Sequence, residues 1–394
     1  MTTFFPFSQK NLIEEPLYRE LEFDELLASF RGVLAYPGEV MARVIIIGPP
    51  GSGKTFVCKN FQRRIEKQKL KSQKIDYLLK CVIVNCQNHS SSESVVLEII
   101  RKIHPDFTIE ENDSETPKLQ YILADILKVR KEALIIIFDN IDSLVAKEPD
   151  EVNSLIYGFQ RFSEGKENAP NLFSQILVAN NLNFLSELDR SVFRRVISDV
   201  IPFEPYSAEE TIELLTRYIK RNRIIYRGRI NEENVWFISM ISKGNMHRAI
   251  NLIEGARYVA DQNNQKEIIP EHVRHANKKF TEFQITEKEL EKLVIGQKLM
   301  LLAIARRFRS NYSPYLNFLE LPARFFSVCE EYFRLSLAKY FKEFFKELEK
   351  KRIISVHNYQ NNIILTLADI SATELIIPLE KYLKKLRKGS PYYL

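Results

Sequence analysis

Residues 44–55 read VIIIGPPGSGKT, and this stretch decides the fold of the first part of the chain. A β-branched run, Val44 to Ile47, leads into a glycine-rich loop with the spacing GxxxxGK[ST], followed by a helical pattern. The loop consists of Gly48, Pro49, Pro50, Gly51, Ser52, Gly53, Lys54 and Thr55. Such a loop wraps phosphates with backbone N–H groups, its lysine reaches the β- and γ-phosphates, and its threonine ligates Mg²⁺. The stretch therefore predicts a site for ATP or ADP with Mg²⁺.

A second hydrophobic run, Leu134 to Phe138, ends in Asp139, which we expect to orient the same Mg²⁺. Proteins of this kind that hydrolyse ATP normally carry a glutamate next, as the general base that activates water. Here the next residue is Asn140, and an amide cannot take a proton from water near neutral pH. The sequence therefore predicts nucleotide binding with slow hydrolysis or none, unless Asp142 or another carboxylate replaces the base.

Three further polar residues are candidates for contacts with the nucleotide. Asn180 follows the run ILVA and can touch the γ-phosphate or the attacking water, although it can equally cap a strand-end turn. His247 and Arg248 open a helix in a later part of the chain, where a lid could bring cationic groups over the nucleotide. The alternative for His247 is a position on the helix surface without such a role.

Hydrophobic patterning divides the chain into three regions. Four short β-branched runs alternate with helical patterns up to Pro202, which is typical of βαβ units with a parallel sheet between helices. Helical patterns follow, and Ser207 with Glu210 forms a capping box at the start of the first one. We therefore expect an α/β domain at 1–202, a helical lid at 203–285 and a third domain at 286–394. The polar stretch 109–118 is the expected exposed loop of the first domain.

Composition excludes several classes of protein. The chain has 394 residues, 45% of them hydrophobic and 27% charged, as in globular proteins of two or three domains. Its four cysteines are scattered and form no CxxC pair, which disfavours disulfide-rich and zinc-binding folds. The sequence lacks a long apolar run, so we expect no membrane span and no secretory leader. These features predict a cytoplasmic protein, and DNA binding would make it nucleoid-associated.

Positive charge is concentrated at the C-terminal end. Residues 291–394 contain 18 Lys and Arg against 10 Asp and Glu, a balance of +8, whereas the net charge of the whole chain is +6. Within this region the segment 324–352 repeats apolar residues at helical spacing. Its opposite face carries residues suited to phosphate or guanine contacts: Lys339, Tyr340, Lys342 and Lys346. Interspersed glutamates leave open that this face is only solvated.

A β-hairpin is predicted after that helical segment. Two short runs, 353–356 and 363–367, flank a polar turn at 357–362. A helix followed by such a hairpin is the pattern of a winged helix, in which the turn is the wing tip and can enter a minor groove. The candidate DNA contacts in the turn are His357, Asn358 and Tyr359.

These motifs, in this order, resemble the AAA+ initiator ATPases and, among them, the archaeal Orc1/Cdc6 origin-binding proteins. Besides the loop, the segments that carry the resemblance are 15–20, 81–86, 179–184, 188–196, 201–210 as the linker into the lid, 270–276 and 297–306. The resemblance implies an α/β fold, an AAA+ P-loop αβα sandwich with a helical lid and a C-terminal winged-helix domain. Tyr18 and Arg19 lie in what looks like the box that cradles adenine.

The resemblance also implies partners and a function. It implies binding of double-stranded DNA at a replication origin, recruitment of the replicative helicase and association with other Orc1/Cdc6 paralogues. It places an arginine finger among Arg190, Arg194 and Arg195, and a further DNA-contacting helix within 90–130. The sequence departs from the family at Asn140, where glutamate is usual, and at His247, where arginine is usual. Both departures favour a paralogue that retains its nucleotide and switches slowly or not at all.

Two other functions stay open on the sequence alone. A motor or clamp-loader-type ATPase would need a general base, which Asn140 does not supply. A nucleotide-gated transcription regulator would use the same winged helix to read an operator, because fold alone does not fix function.

Overall fold

The structure is a computed structural model that describes residues 17–68, 77–108, 115–162, 170–187, 199–280, 287–310, 313–359, 362–367 and 370–388. The chain divides into two compact units, Met1–Tyr206 and Ser207–Leu394. Among the described residues, no helix is long and apolar enough to cross a membrane. The division of the chain into three domains stays a prediction.

The first unit contains a five-stranded parallel sheet. Its strands, in chain order, are β1 (Arg43–Ile47), β2 (Leu78–Asn85), β3 (Glu132–Asp139), β4 (Phe173–Ala179) and β5 (Asp199–Pro202). The order across the sheet is β2-β3-β4-β1-β5, and every neighbouring pair is parallel. This sheet confirms the predicted α/β class, and the four β-branched runs lie in β1 to β4.

Helices cover both faces of the sheet. One face carries α1 (Glu20–Ser29), α2 (Arg31–Ala35) and α3 (Lys54–Gln68). The other carries α4 (Ser92–Ile103), α5 (Thr116–Arg130), α6 (Ile141–Val145) and α7 (Pro149–Arg161). All eight residues of β3 are buried, with Ile135 and Ile137 in the first core and Ile136 and Phe138 in the second. Because successive side chains of a strand point to opposite faces, a strand covered on both sides needs an unbroken apolar run.

Two details differ from the sequence-based prediction. Strand β5 was not predicted, and its last two residues overlap the start of the segment 201–210 that the sequence assigned to the linker into the lid. It has only four residues and ends in a proline, so it lacks the long apolar run of the other strands. Most of the predicted loop at 109–118 lies outside the described residues, and α5 already begins at Thr116.

The second unit begins with the segment that we call the lid helices. They are α8 (Ala208–Arg221), α9 (Arg223–Tyr226), α10 (Glu232–Ser242), α11 (Met246–Gln262) and α12 (Pro270–Asn277). The predicted capping box starts α8: the Ser207 hydroxyl accepts from the Glu210 backbone N–H, and the Glu210 carboxylate accepts from the Ser207 backbone N–H. Their shared core includes Leu215, Phe237 and Leu252.

The C-terminal part of this unit combines further helices with a small antiparallel sheet. The helices are α13 (Glu287–Lys292), α14 (Ile295–Ser310), α15 (Leu321–Glu331), α16 (Phe341–Lys350) and α17 (Ala372–Lys388). The strands are β6 (Leu316–Asn317), β7 (Ser355–Tyr359) and β8 (Asn362–Thr366), in the order β6-β8-β7 across the sheet. The succession of helix, strand, two helices and hairpin is the one expected for a winged helix.

The helical segment 324–352 is interrupted after α15. The backbone N–H of Phe333 donates to the Glu330 carbonyl (3.0 Å), and that of Arg334 donates to the Cys329 carbonyl (2.7 Å). Phe333 adopts the left-handed conformation (φ +52°) that this helix ending requires and that glycine usually supplies. Because a phenylalanine stands there instead, the sequence pattern does not reveal the break.

The predicted hairpin is present, but its turn is shorter than expected. Strand β7 continues to Tyr359, which pairs with Asn362 on β8. His357, Asn358 and Tyr359 therefore lie on a strand and not in the turn, which corrects the sequence-based boundaries. Residues 360–361, between the two strands, lie outside the described residues. The adjacent polar residues His357 and Asn358 made the end of β7 look like the start of a turn.

Helix α16 packs against α14 where the Phe344 ring lies directly over Gly296. Phe345 and Leu348 face the core, whereas Lys342 and Lys346 are exposed. A Cβ at Gly296, in the first turn of α14, would lie only 2.1 Å from the Phe344 ring. The absence of a side chain at this position therefore sets how closely α16 approaches α14.

We expect Gly296→Ala to lower the free energy of unfolding by about 1–3 kcal/mol, because the added methyl group overlaps the Phe344 ring. Alanine is otherwise the better helix former by about 1 kcal/mol, so the sign of the change tests the contact. Urea denaturation of the wild type, Gly296→Ala, Phe344→Ala and the double variant measures the effect. In the Phe344→Ala background the methyl group should cost nothing, and an equal loss in both backgrounds would contradict the explanation.

Candidate functional site

The phosphate loop runs from the end of β1 to the start of α3 and packs tightly against the segment after β5. A Cβ on Gly48 would lie 2.2 Å from the carbonyl oxygen of Phe203, and one on Gly53 would lie 2.3 Å from the hydroxyl oxygen of Tyr206. Gly53 also has a φ of +98°, a conformation that other residues rarely adopt. Close packing therefore requires both glycines, independently of any ligand.

Arg19 ties the loop to the same segment. Its buried guanidinium donates to the carbonyl oxygens of Ser52 (2.8 Å) and Glu204 (2.6 Å). It also lies over the Tyr206 ring, 4.1 Å from the centroid. Charge-assisted hydrogen bonds of this kind are strong, so Arg19 stabilises the shape of the loop. The sequence did not reveal this contact, and the assignment of Tyr18 and Arg19 to an adenine box stays a prediction.

The side chain of Lys54, near the end of the phosphate loop, folds back onto the first residues of the loop. Its side chain is buried, and Nζ donates to the carbonyl oxygens of Gly48 (2.5 Å) and Pro49 (3.0 Å). Burial lowers the pKa of Lys54, and the nearby carboxylates of Asp139 and Asp142 oppose that shift. A phosphate group, as a charged acceptor, is a stronger partner for an ammonium group than these carbonyls are.

Thr55 and Asp139 meet although they are 84 residues apart, because Thr55 Oγ1 donates to Asp139 Oδ2 at 2.8 Å. Burial raises the pKa of Asp139, while this hydrogen bond and the charge of Lys54 lower it. Ser52 Oγ and Asp139 Oδ1 are buried without a hydrogen-bond partner among the described residues. Such orphaned oxygens are rare, and hydroxyl and carboxylate oxygens suit Mg²⁺ and its waters. The residues present therefore fit a nucleotide with Mg²⁺.

Asn140 follows Asp139 in the left-handed conformation, with φ +56°. Its Nδ2 donates to Oδ1 of Asn85 at 3.1 Å. Asn85 ends β2, and the strand register places it opposite Asp139. Sequence reasoning did not include Asn85 among the site residues, although its place at the end of a neighbouring buried strand was the available signal. Neither amide can act as a general base.

Asp142, the alternative base, is paired with Asn180. Its Oδ2 accepts from the backbone N–H (3.1 Å) and from Nδ2 (2.8 Å) of Asn180. Asp142 is also near enough to Lys54 to affect the pKa of that lysine. The structure thus brings Asn180 to the same end of the sheet as Asp139 and Lys54. Contact of Asn180 with a γ-phosphate stays a prediction.

The remaining nucleotide candidates lie elsewhere. His247 and Arg248 belong to the second unit, where His247 is exposed and Arg248 donates to Asn277 Oδ1 at 2.9 Å. Their contact with a nucleotide stays a prediction. The arginine-finger candidates Arg190, Arg194 and Arg195 lie outside the described residues. Between β2 and β3, where a DNA-contacting helix was expected within 90–130, the structure has α4 and α5.

The candidate DNA contacts fall into two groups with different surroundings. The exposed group consists of Lys339, Tyr340, Lys342, Lys346 and Asn358. His357 and Tyr359 instead face the lid helices. The Tyr359 ring lies 4.5 Å from the ring of Trp236 on α10, and burial together with the charge of Lys243 lowers the pKa of His357. Solvent access therefore distinguishes the first group from the second.

Comparison with known sequences shows where this architecture occurs. The AAA domain family matches residues 42–187. The ORC1-type DNA replication protein 2 of Sulfurisphaera tokodaii is 30% identical over 296 residues, which cover 73% of this chain and 68% of that protein. The ORC1-type DNA replication protein of Pyrococcus abyssi is 25% identical over 272 residues, which cover 68% of this chain and 62% of that protein.

Solved structures share the fold. Cdc6p from Pyrobaculum aerophilum matches with a TM-score of 0.78 and 23% identity, covering 96% of this chain and 97% of that one. The ORC1 protein of Aeropyrum pernix, solved in complex with DNA, matches with a TM-score of 0.56 and 20% identity, covering 93% and 92%. The strand order and the phosphate site are those of an AAA domain, and the similarity to the Sulfurisphaera tokodaii protein indicates which AAA+ family it is. The chain belongs to the archaeal Orc1/Cdc6 family of AAA+ replication initiator proteins.

Proposed function

We propose that this initiator binds ATP or ADP with Mg²⁺ at the phosphate loop, hydrolyses ATP slowly or not at all, and binds double-stranded DNA at a replication origin. The observation that carries the nucleotide part of the proposal is the Asn140–Asn85 hydrogen bond at the edge of the sheet where Lys54 and Asp139 also lie. The site combines the groups that hold a nucleotide with an amide where hydrolysis needs a base.

Retention of the nucleotide follows from the residues of the loop. Lys54 and the backbone N–H groups would bind the phosphates, and Thr55 with Asp139 would hold Mg²⁺. Bound Mg²⁺ neutralises phosphate charge. The orphaned oxygens of Ser52 and Asp139 support this assignment, because they would gain partners. In addition, the related ORC2 protein of Aeropyrum pernix has been solved in ADPNP–ADP complexes.

Slow hydrolysis follows from the amide that stands directly after Asp139, where a glutamate is usual. Asn140 has no basic group, and its amide donates to Asn85. The Oδ2 atom of Asp142 already accepts two hydrogen bonds from Asn180, which hold that carboxylate at the ends of β3 and β4. Activation of water by a general base contributes about 10²–10⁴-fold to a rate. Without it we expect a nucleotide that is kept rather than turned over.

DNA binding is assigned to α16 and the turn before it. The lysines Lys339, Lys342 and Lys346 are exposed there and can neutralise backbone phosphates. The Aeropyrum pernix ORC1 protein, which shares the fold, was solved in complex with DNA. We further propose that the DNA-bound, nucleoid-associated protein serves helicase recruitment and works with other Orc1/Cdc6 paralogues, as membership of the family suggests.

Replacing the loop lysine tests nucleotide binding. We expect Lys54→Ala to raise the Kd for ATP about 10- to 100-fold, since hydrogen bonds to charged groups contribute about 1.5–3 kcal/mol. Binding to a DNA duplex should be largely unchanged. Isothermal titration calorimetry measures the first quantity and fluorescence anisotropy the second. Lys67→Ala, which removes an exposed charge from the same helix, is the matched control. Equal ATP affinity in all three proteins would refute the phosphate-loop assignment.

Restoring a carboxylate tests the hydrolysis proposal. We expect Asn140→Glu to raise kcat for ATP about 100-fold, because a general base is supplied. The left-handed backbone at this position should cost the variant about 1 kcal/mol of stability. Multiple-turnover ATPase assays and thermal unfolding measure both effects.

The control for this experiment is Asn140→Gln, which imposes similar backbone strain without a carboxylate and should stay slow. Brisk turnover by the wild type would contradict the proposal. In that event Asp142→Asn shows whether Asp142 is the base, because this variant would then lose activity.

A single exposed lysine tests the DNA surface. We expect Lys346→Ala to reduce the slope of log Kd against log salt by about 1, because one phosphate contact is lost. Lys220→Ala, at an exposed position on α8 in the same unit, should leave the slope unchanged. If Lys346→Ala and Lys220→Ala have the same salt slope, the exposed face of α16 does not contact DNA phosphates. The full chain is used because the C-terminal strands and the lid helices share a core.

A further inference from the structure

The wing hairpin, which we define as β7 and β8, has two faces with different surroundings. His357 and Tyr359 share one face with Ile364, which pairs with His357 and is buried in the core of the lid helices. The opposite face carries Val356, Asn358, Ile363 and Leu365. On that face Val356 and Leu365 pack in the C-terminal core, whereas Asn358 is exposed. The hairpin is therefore held between two cores, with one short stretch open to solvent.

An aromatic cluster joins the lid helices to this hairpin. The Tyr359 ring lies 4.5 Å from Trp236 and 5.5 Å from Tyr315, and Trp236 and Tyr315 are 5.7 Å apart. Trp236 is only 6% exposed, and the hydroxyl of Tyr315 donates to Glu233 on the same helix as Trp236. Tilted and edge-to-face rings at such distances attract each other beyond their burial. The cluster thus fixes the end of β7 on α10.

A buried cation makes a second connection, independent of the rings. Arg274 on α12 is 1% exposed and donates to the carbonyl oxygens of Leu367 (2.7 Å) and Pro314 (3.1 Å). Its guanidinium lies between Phe237 and Phe308, 5.1 and 4.5 Å from their centroids. Leu367 follows β8 and Pro314 precedes the antiparallel β6, so one lid residue binds two neighbouring segments at the same end of the small sheet. Separating α12 from the sheet would break both of these hydrogen bonds and leave the guanidinium only Glu271 on its own helix, which is unfavourable for a buried charge.

We propose that the lid helices set the position of the wing hairpin on DNA, and that Trp236 is a positioning residue that acts through the Tyr359 ring. On the face of the hairpin opposite the lid helices, Asn358 is then the polar residue that faces DNA, and Tyr359 does not touch the DNA. This replaces the sequence-based role of Tyr359 with a packing role. The inference deepens the proposed DNA-binding function and rests on it.

A double-mutant cycle tests the positioning role with a mixed-sequence DNA duplex at low salt. Trp236→Ala should weaken binding about threefold or more. It should also abolish any further effect of Asn358→Ala, because Asn358 reaches DNA only while Trp236 holds the hairpin in place. The effect of Lys346→Ala should persist in the Trp236→Ala background. Trp236→Phe, which keeps a ring, should bind like the wild type. Additive effects of Trp236→Ala and Asn358→Ala would overturn the inference.

Two measurements do not depend on the stability of Trp236→Ala. Tyr359→Phe keeps the ring and removes the hydroxyl, so affinity and salt slope should stay unchanged; a loss of either, in a variant that unfolds at the same urea concentration as the wild type, would mean that Tyr359 contacts DNA. Trp236 is the chain's single tryptophan, so its emission reports on the aromatic cluster. Saturating duplex should leave the emission maximum in place, and a shift to longer wavelength would mean that the rings separate.

The outcomes also distinguish the inference from the function on which it rests. A wild-type protein that does not bind the duplex at low salt would refute the DNA-binding proposal, and the positioning role with it. A wild-type protein that binds, together with a weakened Tyr359→Phe or a shifted Trp236 emission, would refute the positioning role alone.

Discussion

Parallel strand pairing is the constraint on which the nucleotide site depends. It brings the carboxyl ends of the strands to one edge, where the Thr55–Asp139 hydrogen bond joins segments 84 residues apart. The same register sets Asn85 opposite Asp139 and within reach of Asn140. A slip of β2 by one residue would turn Asn85 to the other face of the sheet and remove the partner of Asn140. The sheet thus places Asp139, Asn140 and Asn85 beside the loop motif, whereas Arg19 and the segment after β5 pack against the loop from outside the sheet.

The sequence predicted the parts of the fold that depend on local patterns. Strands covered on both faces need unbroken apolar runs, so β1 to β4 were recognisable, whereas the short β5, ending in Pro202, was not. The end of α15 was hidden because Phe333 holds a conformation that usually requires glycine, and the hydrogen bonds of Phe333 and Arg334 to the last carbonyls of the helix accompany it. The turn of the hairpin was misplaced because polar His357 and Asn358 continue β7.

For the candidate site, the sequence predicted residues whose spacing is fixed by the chain itself. Lys54 and Thr55 belong to one loop and needed no tertiary information. Arg19 and Asn85 act through contacts with distant segments, and no local pattern indicates that an arginine binds Ser52 or that two strand-end amides pair. Likewise, the direction in which Tyr359 points depends on which face of β7 meets the lid helices, and a hairpin pattern alone leaves that undetermined.

The backbone at Asn140 gives a physical reason to connect the substitution with retention of the nucleotide. Asparagine tolerates the left-handed conformation better than most residues, so Asn140 occupies its position at little cost. Its donor is satisfied by Asn85, an arrangement without any ionised group. A glutamate there would add a carboxylate next to Asp139, whose pKa burial already raises, and close to Asp142. The amide pair therefore avoids a third carboxylate at this edge of the sheet and lacks a base, which is the physical basis of the proposal that the nucleotide is held rather than hydrolysed.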